Sequence, residues 1–277
     1  MNIEAMSLME LAPFAAGLVV TGLVAGVLAG LLGVGGGIVI VPVLYHVFTL
    51  LGIDEAVRMH VAVGTSLGTI VLTSVRSVRA HAKKGAVDRP MLRSWALPIL
   101  LGVAVGTLIA AYVSGDALTG VFASIALLVA ANLAFGKESW RLGSQLPGRP
   151  VQYSVAGVIG ALSALMGIGG GTFAVSFMTL YGKNPREAVA TSSGLGVLIA
   201  VPAVVGFMWA GWNDPLLPPF SFGYVNLIGI ALIAPLSVLA APWGAAIAHA
   251  ISHKALIRAF ALFLALTSLQ MFYRLFG

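Results

Sequence analysis

Val24–Gly37 reads VAGVLAGLLGVGGG, and Val158–Gly171 reads VIGALSALMGIGGG, with eight of the fourteen positions identical at a constant offset of 134 residues. The chain therefore carries an internal repeat. In each copy an apolar, helix-like run enters a glycine cluster: Gly33, Gly35, Gly36 and Gly37 in the first, Gly167, Gly169, Gly170 and Gly171 in the second. Each glycine costs a helix about 1 kcal/mol relative to alanine and takes positive φ freely, so four in five residues unwind the chain. Close helix packing explains two glycines four apart, such as Gly22 and Gly26, but not this density.

The surrounding composition sets the solvent in which that unwinding happens. Of 277 residues 59% are apolar and 9% charged, with a mean hydropathy of +1.02, against about 45–50% and about 25% in soluble domains. This is a polytopic, all-α membrane protein. Residues 1–10 contain no Lys or Arg and no Ala-x-Ala site follows, so 11–32 reads as a retained membrane segment rather than a cleaved leader. The absence of cysteine excludes disulfides, thiolate metal sites and a cysteine nucleophile. No cofactor motif is visible. The net charge of +6 is spread through loops and not gathered into a basic arm, so it reads as a topology signal, with no nucleic-acid partner.

Apolar runs between charged or Pro/Gly-rich breaks give ten segments, five per half: 11–32, 37–51, 61–80, 91–114 and 117–136, then 151–166, 171–181, 187–211, 223–248 and 252–276. Segments 37–51, 151–166 and 171–181 fall short of the ~20 residues a spanning helix needs. They read as half-helices or re-entrant arms. The organisation is an N-terminal repeat over 1–136, a linker over 137–150 and a C-terminal repeat over 151–277, together one membrane domain.

Cations concentrate near residues 79–93 (Arg79, Lys83, Lys84, Arg89, Arg93), in the linker (Lys137, Arg141, Arg149) and at Lys254 and Arg258. Those connections are predicted cytoplasmic by the positive-inside rule. The connections at 114–116 and 212–222 hold one Asp each and no cation, so they are predicted outside, with both termini. Each half then crosses an odd number of times, and the two repeats are predicted to be inverted.

Unwound backbone within a bilayer is tolerated only where protein buries it or it lines a water-filled space, and paired interruptions in two halves point to a transporter's substrate site. The helices restarting after the clusters present free, partly positive amides to that space. A second echo, Ala62-Val-Gly-Thr-Ser66 and Ala188-Val-Ala-Thr-Ser192, supplies hydroxyls at Thr65, Ser66, Thr191 and Ser192. These can cap amides or bind an oxyanion, or simply bond back to the preceding turn. In the first copy Thr65, Thr69, Thr73 and Arg76 share one helical face, whereas the second has Leu195, Ile199 and Pro202 there. Arg76, about 16 Å along the helix from Thr65, joins Arg79, Lys83 and Lys84 in a positive mouth for anions.

All nine acids (Glu4, Glu10, Asp54, Glu55, Asp88, Asp116, Glu138, Glu187 and Asp214) lie at the N-terminus or in predicted connections. Transporters of cations and protons put carboxylates mid-span, so this chain's substrate is predicted to be an anion held by amides, hydroxyls and Arg58 or His60. Gly64-Thr-Ser-Leu-Gly68 matches G-x-S-x-G, but that nucleophile elbow needs a strand–turn–helix. An intramembrane serine hydrolase using Ser66 with His60 or His81 is thus an alternative that an all-helical chain disfavours.

With the paired GxGGG clusters, AVGTS at 62–66 and RAHAKKGAVD at 79–88, the chain resembles the sulfite exporter TauE/SafE family through nearly its whole length. The resemblance implies a permease of the bacterial inner membrane that exports sulfite, sulfoacetate or related organosulfonates. A channel or permease for another small anion is the alternative. The site expected is Gly35, Gly36, Gly37, Gly169, Gly170 and Gly171 for amides, Thr65, Ser66, Thr191 and Ser192 for hydroxyls, and Arg76, Arg79 and His60 for attraction, with no metal.

Overall fold

The computed structural model describes residues 8–32, 37–136, 141–250 and 252–276. Ten helices occupy them: α1 (Leu8–Leu32), α2 (Gly37–Leu50), α3 (Glu55–Lys83), α4 (Arg89–Tyr112), α5 (Gly115–Phe135), α6 (Arg149–Met166), α7 (Gly171–Leu180), α8 (Pro185–Ala210), α9 (Leu227–Ala250) and α10 (His253–Phe276). Each matches one of the ten apolar segments. Two elements start four or more residues from the expected position, for local reasons. Asp54 accepts a hydrogen bond from Ala56 N and starts α3 six residues earlier than expected. Before α9, Ser221–Phe222 (β1) pairs antiparallel with Val225–Asn226 (β2) around a turn in which Gly223 has φ 57°. The ninth helix therefore begins at Leu227 rather than 223.

Among the described residues six helices are long and apolar enough to cross a membrane, namely α3, α4, α5, α8, α9 and α10. The remaining four form two hairpins. The α6–α7 pair enters and leaves at one end of the bundle: Gln152 of α6 donates to Pro147 O and accepts from Trp95 Nε1 near the start of α4, while Leu142 N donates to Leu180 O at the end of α7. The α1–α2 pair is anchored at the other end. Gly17 packs on Val47 and Leu51, and α2 leads directly into Asp54.

The two ends differ in charge. One gathers Asp54, Glu55, Asp116 and Asp214; Gly115 rests on the Glu55 and Ala56 carbonyls, and His60 packs on Tyr224, which bonds Asp214. The other gathers Lys83, Lys84, Arg89, Lys183, Arg186 and Arg258, with Arg258 sharing a groove with Phe135. The loops grouped as one-sided by their cations do lie together.

Small residues set the helix pairings, because bilayer interfaces gain from close backbone approach rather than hydrophobic burial. Gly22 and Gly26 of α1 meet Ile233 and Ser237 of α9, running parallel, and Ser237 Oγ donates to Gly22 O at 3.1 Å. Gly102 and Gly106 of α4 meet Gly157 and Ala161 of α6, also parallel. At the centre α3 and α8 run antiparallel, with Gly64 against Phe207 and Ser74 against Gly196. Peripheral α5 and α10 are antiparallel too, Gly120 facing Leu275.

Candidate functional site

The hairpins come from opposite ends of the bundle and meet in its middle. A Cβ on Gly37, the first residue of α2, would lie 3.1 Å from both Gly167 O and Ile168 Cα. Gly35 and Gly36 lie outside the described residues, so the contact is drawn from Gly37 alone on the first side. In the second cluster Gly167 and Gly170 are left-handed, with φ 64° and 71°. Gly167 closes α6, its N–H and that of Ile168 bonding back to Ala164 O and Ser163 O. A side chain there would press on Val41 and on the α3 backbone at Val63. Gly170 opens α7 without any side-chain cap, and the first intrahelical bond is Ala174 N to Gly170 O at 2.9 Å. The amides of Gly171, Thr172 and Phe173 thus face outward from the first turn of α7.

The middle of α3 grips this meeting point. Ser66 Oγ donates to Gly167 O at 2.8 Å, and Ile70 reaches between Gly37 and Gly169. Ser74 lies beside Gly169 and Gly196, while Ile199 of α8 covers Gly170. Among the described residues, the side chains nearest these glycines are neutral. Two hydroxyls at the same tip, Ser163 Oγ and Thr172 Oγ1, are enclosed and have no hydrogen-bond partner. Ser163 is wholly buried, and its oxygen stands 3.5 Å from where a Cβ on Gly170 would sit.

Thr65 and Thr191 are held elsewhere, in a matched pair of interlocks. Thr65 Oγ1 accepts from Asn226 N at 3.0 Å, and Asn226 Oδ1 in turn accepts from Gly229 N, starting α9. Thr191 Oγ1 accepts from Asp88 N at 3.0 Å, and Asp88 Oδ1 accepts from Met91 N, starting α4. Each threonine of the repeated Thr-Ser pair therefore clamps the start of the fourth helix in the opposite half. The surroundings differ. Asn226 Nδ2 donates to Pro219 O and Ser221 Oγ, whereas Asp88 pairs with Lys183, which also pairs with Glu187 at 2.7 Å. Partial burial opposes charge on both Asp88 and Lys183, but the hydrogen bonds and ion pair outweigh it: Asp88 is held below the ordinary carboxylate range and Lys183 above the ordinary amine.

The other expected residues are dispersed. Ser192 Oγ donates to Val189 O in its own helix. His60 Nε2 donates to Ala110 O at 3.0 Å, with its ring 4.7 Å from that of Tyr224, at the acidic end. Arg58 wraps the Ile53 carbonyl and lies over the Tyr45 ring, so its charge is engaged locally. Arg76 and Arg79 are exposed and line, with Lys83, an open groove of about 550 Å³ beneath the basic end. The hydroxyls of Thr69 and Thr73 bond back along α3. Sequence reasoning missed Asn226, the Asp88–Lys183 pair and Ser163. The signals present were Asx residues just ahead of apolar helices, and a serine where the first repeat has Ala29.

A sequence profile described as "Sulfite exporter TauE/SafE" matches residues 18–271. A "Probable membrane transporter protein" of Haemophilus influenzae is 32% identical over 91% of this chain and 95% of its own length. "Probable membrane transporter protein YunE" of Bacillus subtilis is 30% identical over 92% and 96%, and "Probable membrane transporter protein MJ0441" of Methanocaldococcus jannaschii 29% over 80% and 81%. With six apolar spans and two central hairpins, the chain is a multi-pass membrane transporter and belongs to the sulfite exporter TauE/SafE family.

Proposed function

We propose that the protein is a secondary transporter that exports small sulfur-containing anions, such as sulfite, sulfoacetate or other organosulfonates, by alternating access between halves 1–136 and 151–277. The observation that carries this is the meeting of Gly37 with Gly167 and Ile168, where two hairpins from opposite ends leave helix-start amides among neutral neighbours. An anion there is held from either side in turn. The two halves are read as inverted repeats: α3 and α8 carry the Thr-Ser echo yet run antiparallel, α5 and α10 do likewise, and α1 on α9 mirrors α6 on α4. The basic end is read as cytoplasmic in a bacterial inner membrane, with both termini outside. Arg76, Arg79 and Lys83 would raise the local anion concentration at that mouth. Among the proposed ligands, Gly169, Gly170 and Gly171 act through backbone amides, Ser66 sets the tip, and Thr65 and Thr191 hold the frame.

The test is transport by the purified chain in liposomes. Sulfite or sulfoacetate efflux, accelerated by the same anion on the far side, is the expected result. Unitary currents without such counterflow would make it a channel. Sodium flux with neither anion moved would end the anion reading altogether.

A further inference from the structure

The two hairpin tips are not chemically equal, and the difference singles out one of them. Where the second repeat has Ser163 and Thr172, the first has Ala29 and Ile38. Ser163 also departs from the habit of this protein's buried helical hydroxyls. Thr21, Thr69, Thr107 and Thr119 each donate to the carbonyl four residues earlier, at 2.7–3.1 Å, whereas Ser163 Oγ has no partner, although it is wholly enclosed. Thr172 Oγ1, on the first turn of α7, is enclosed and unpartnered too. Ser268 shares that state, but it lies on α10, away from the tips. A buried hydroxyl without a partner costs the protein stability, so two at one helix start, beside uncapped amides, call for an acceptor. The group that satisfies hydroxyl and amide donors together is an oxyanion.

We propose that the tip of the α6–α7 hairpin alone binds the transported ion, that Ser163 Oγ, Thr172 Oγ1 and the first-turn amides of α7 are its ligands, and that it is selective for monoanions. This rests on the anion-transporter reading. The charge selectivity comes from what surrounds the tip. The side chains nearest Gly167, Gly169 and Gly170 are Val41, Ile70, Ser74, Ile159, Ser163 and Ile199, none of them a cation. Neutral dipoles must then replace whatever hydration the ion sheds on entering. The cost of desolvation grows with the square of the charge, so a dianion costs about four times as much as a monoanion of the same size. Singly charged sulfonates such as methanesulfonate, and hydrogen sulfite, fit this site; sulfate, fully ionised sulfite and the dianion sulfoacetate do not, which narrows the substrates proposed above.

The experiment compares binding of methanesulfonate and sulfate to the purified chain in detergent, alongside methanesulfonate flux in liposomes. Methanesulfonate should bind at least tenfold tighter than sulfate. Ser163→Ala and Thr172→Val should each weaken methanesulfonate by about tenfold, the loss of one charge-assisted hydrogen bond, while Thr172→Ser should restore most of it. Unfolding midpoints of these variants without ligand should match the wild type or exceed it, because each removes an unpaired buried hydroxyl. Equal binding of sulfate, or unchanged affinity in both variants of a wild type that transports, would overturn this assignment and leave the transporter reading standing. If the wild type neither binds nor moves these anions, both fall.

Discussion

Thr65 and Thr191 stand at equivalent places in the two halves and make the same bond, each accepting the backbone N–H of the residue that starts the opposite half's fourth helix, at 3.0 Å. Around them the chemistry parts. The acidic-end interlock is neutral and fully buried, closed by the three side-chain hydrogen bonds of Asn226. The basic-end interlock is half-buried and ionic, with Asp88, Lys183 and Glu187 joined in a row. Lys183 also lies just past the α6–α7 hairpin, so this interlock ties the hairpin's exit to α4, a connection its neutral counterpart lacks. A frame repeated in both halves thus carries a half-buried, ionic joint at one end and a buried, neutral one at the other.

The comparison can be broken most severely at Asn226. Asn226→Ala strips a buried helix start of its cap and orphans the Pro219 carbonyl and the Gly229 amide; we expect a loss of about 3 kcal/mol in detergent unfolding. Thr65→Val leaves the buried Asn226 N–H unpaired and should cost about 2 kcal/mol. Thr191→Val does the same to Asp88 N, where water can reach, and should cost about 1 kcal/mol. Equal losses at the two threonines would contradict the dry-versus-wet distinction. Asp88→Asn makes the basic-end interlock a neutral copy of its partner, keeps the cap and should change stability least at neutral pH.

Titration sharpens the same contrast. Asp88 has a lowered pKa in the folded chain, so its contribution is present above the ordinary carboxylate value and is lost as pH falls through the depressed one. Lys183 has a raised pKa, so its contribution is present below the ordinary amine value and is lost as pH climbs through the raised one. Asp88→Asn should flatten the acid limb of a stability profile. At the acidic end burial and Asp214 push Tyr224 up to about 12, so the contribution of Tyr224 is lost as pH rises from about 10 to 12. A variant whose acid limb matches the wild type would show that the ion pair contributes nothing.

The ten helices were legible because a bilayer enforces them: apolar runs of the right length, bounded by charge, admit few other readings. How they pair was only half legible. Segment 11–32 packs back along α2 as a hairpin, and only the packing of Gly17 on Val47 and Leu51 reveals that. The Thr-Ser echo was visible, but its partners Asn226 and Asp88 lie 161 and 103 residues away, and no local pattern links them. Threonine hydroxyls that suit an anion suit an N–H equally well, so residue type alone could not assign them. The glycines were read from their density, whereas Ser163 was hidden among ordinary small residues of an apolar helix.

In the proposed transporter the anion passes through the contact between the two hairpins. Gly37→Leu tests it most directly, because a side chain there must displace Ile70 and press on the Gly167–Ile168 backbone without touching either interlock. Sulfite counterflow in liposomes should fall to background while the purified variant keeps its helical content and a single elution peak. Counterflow within twofold of the wild type, in a variant that folds equally well, would contradict the account.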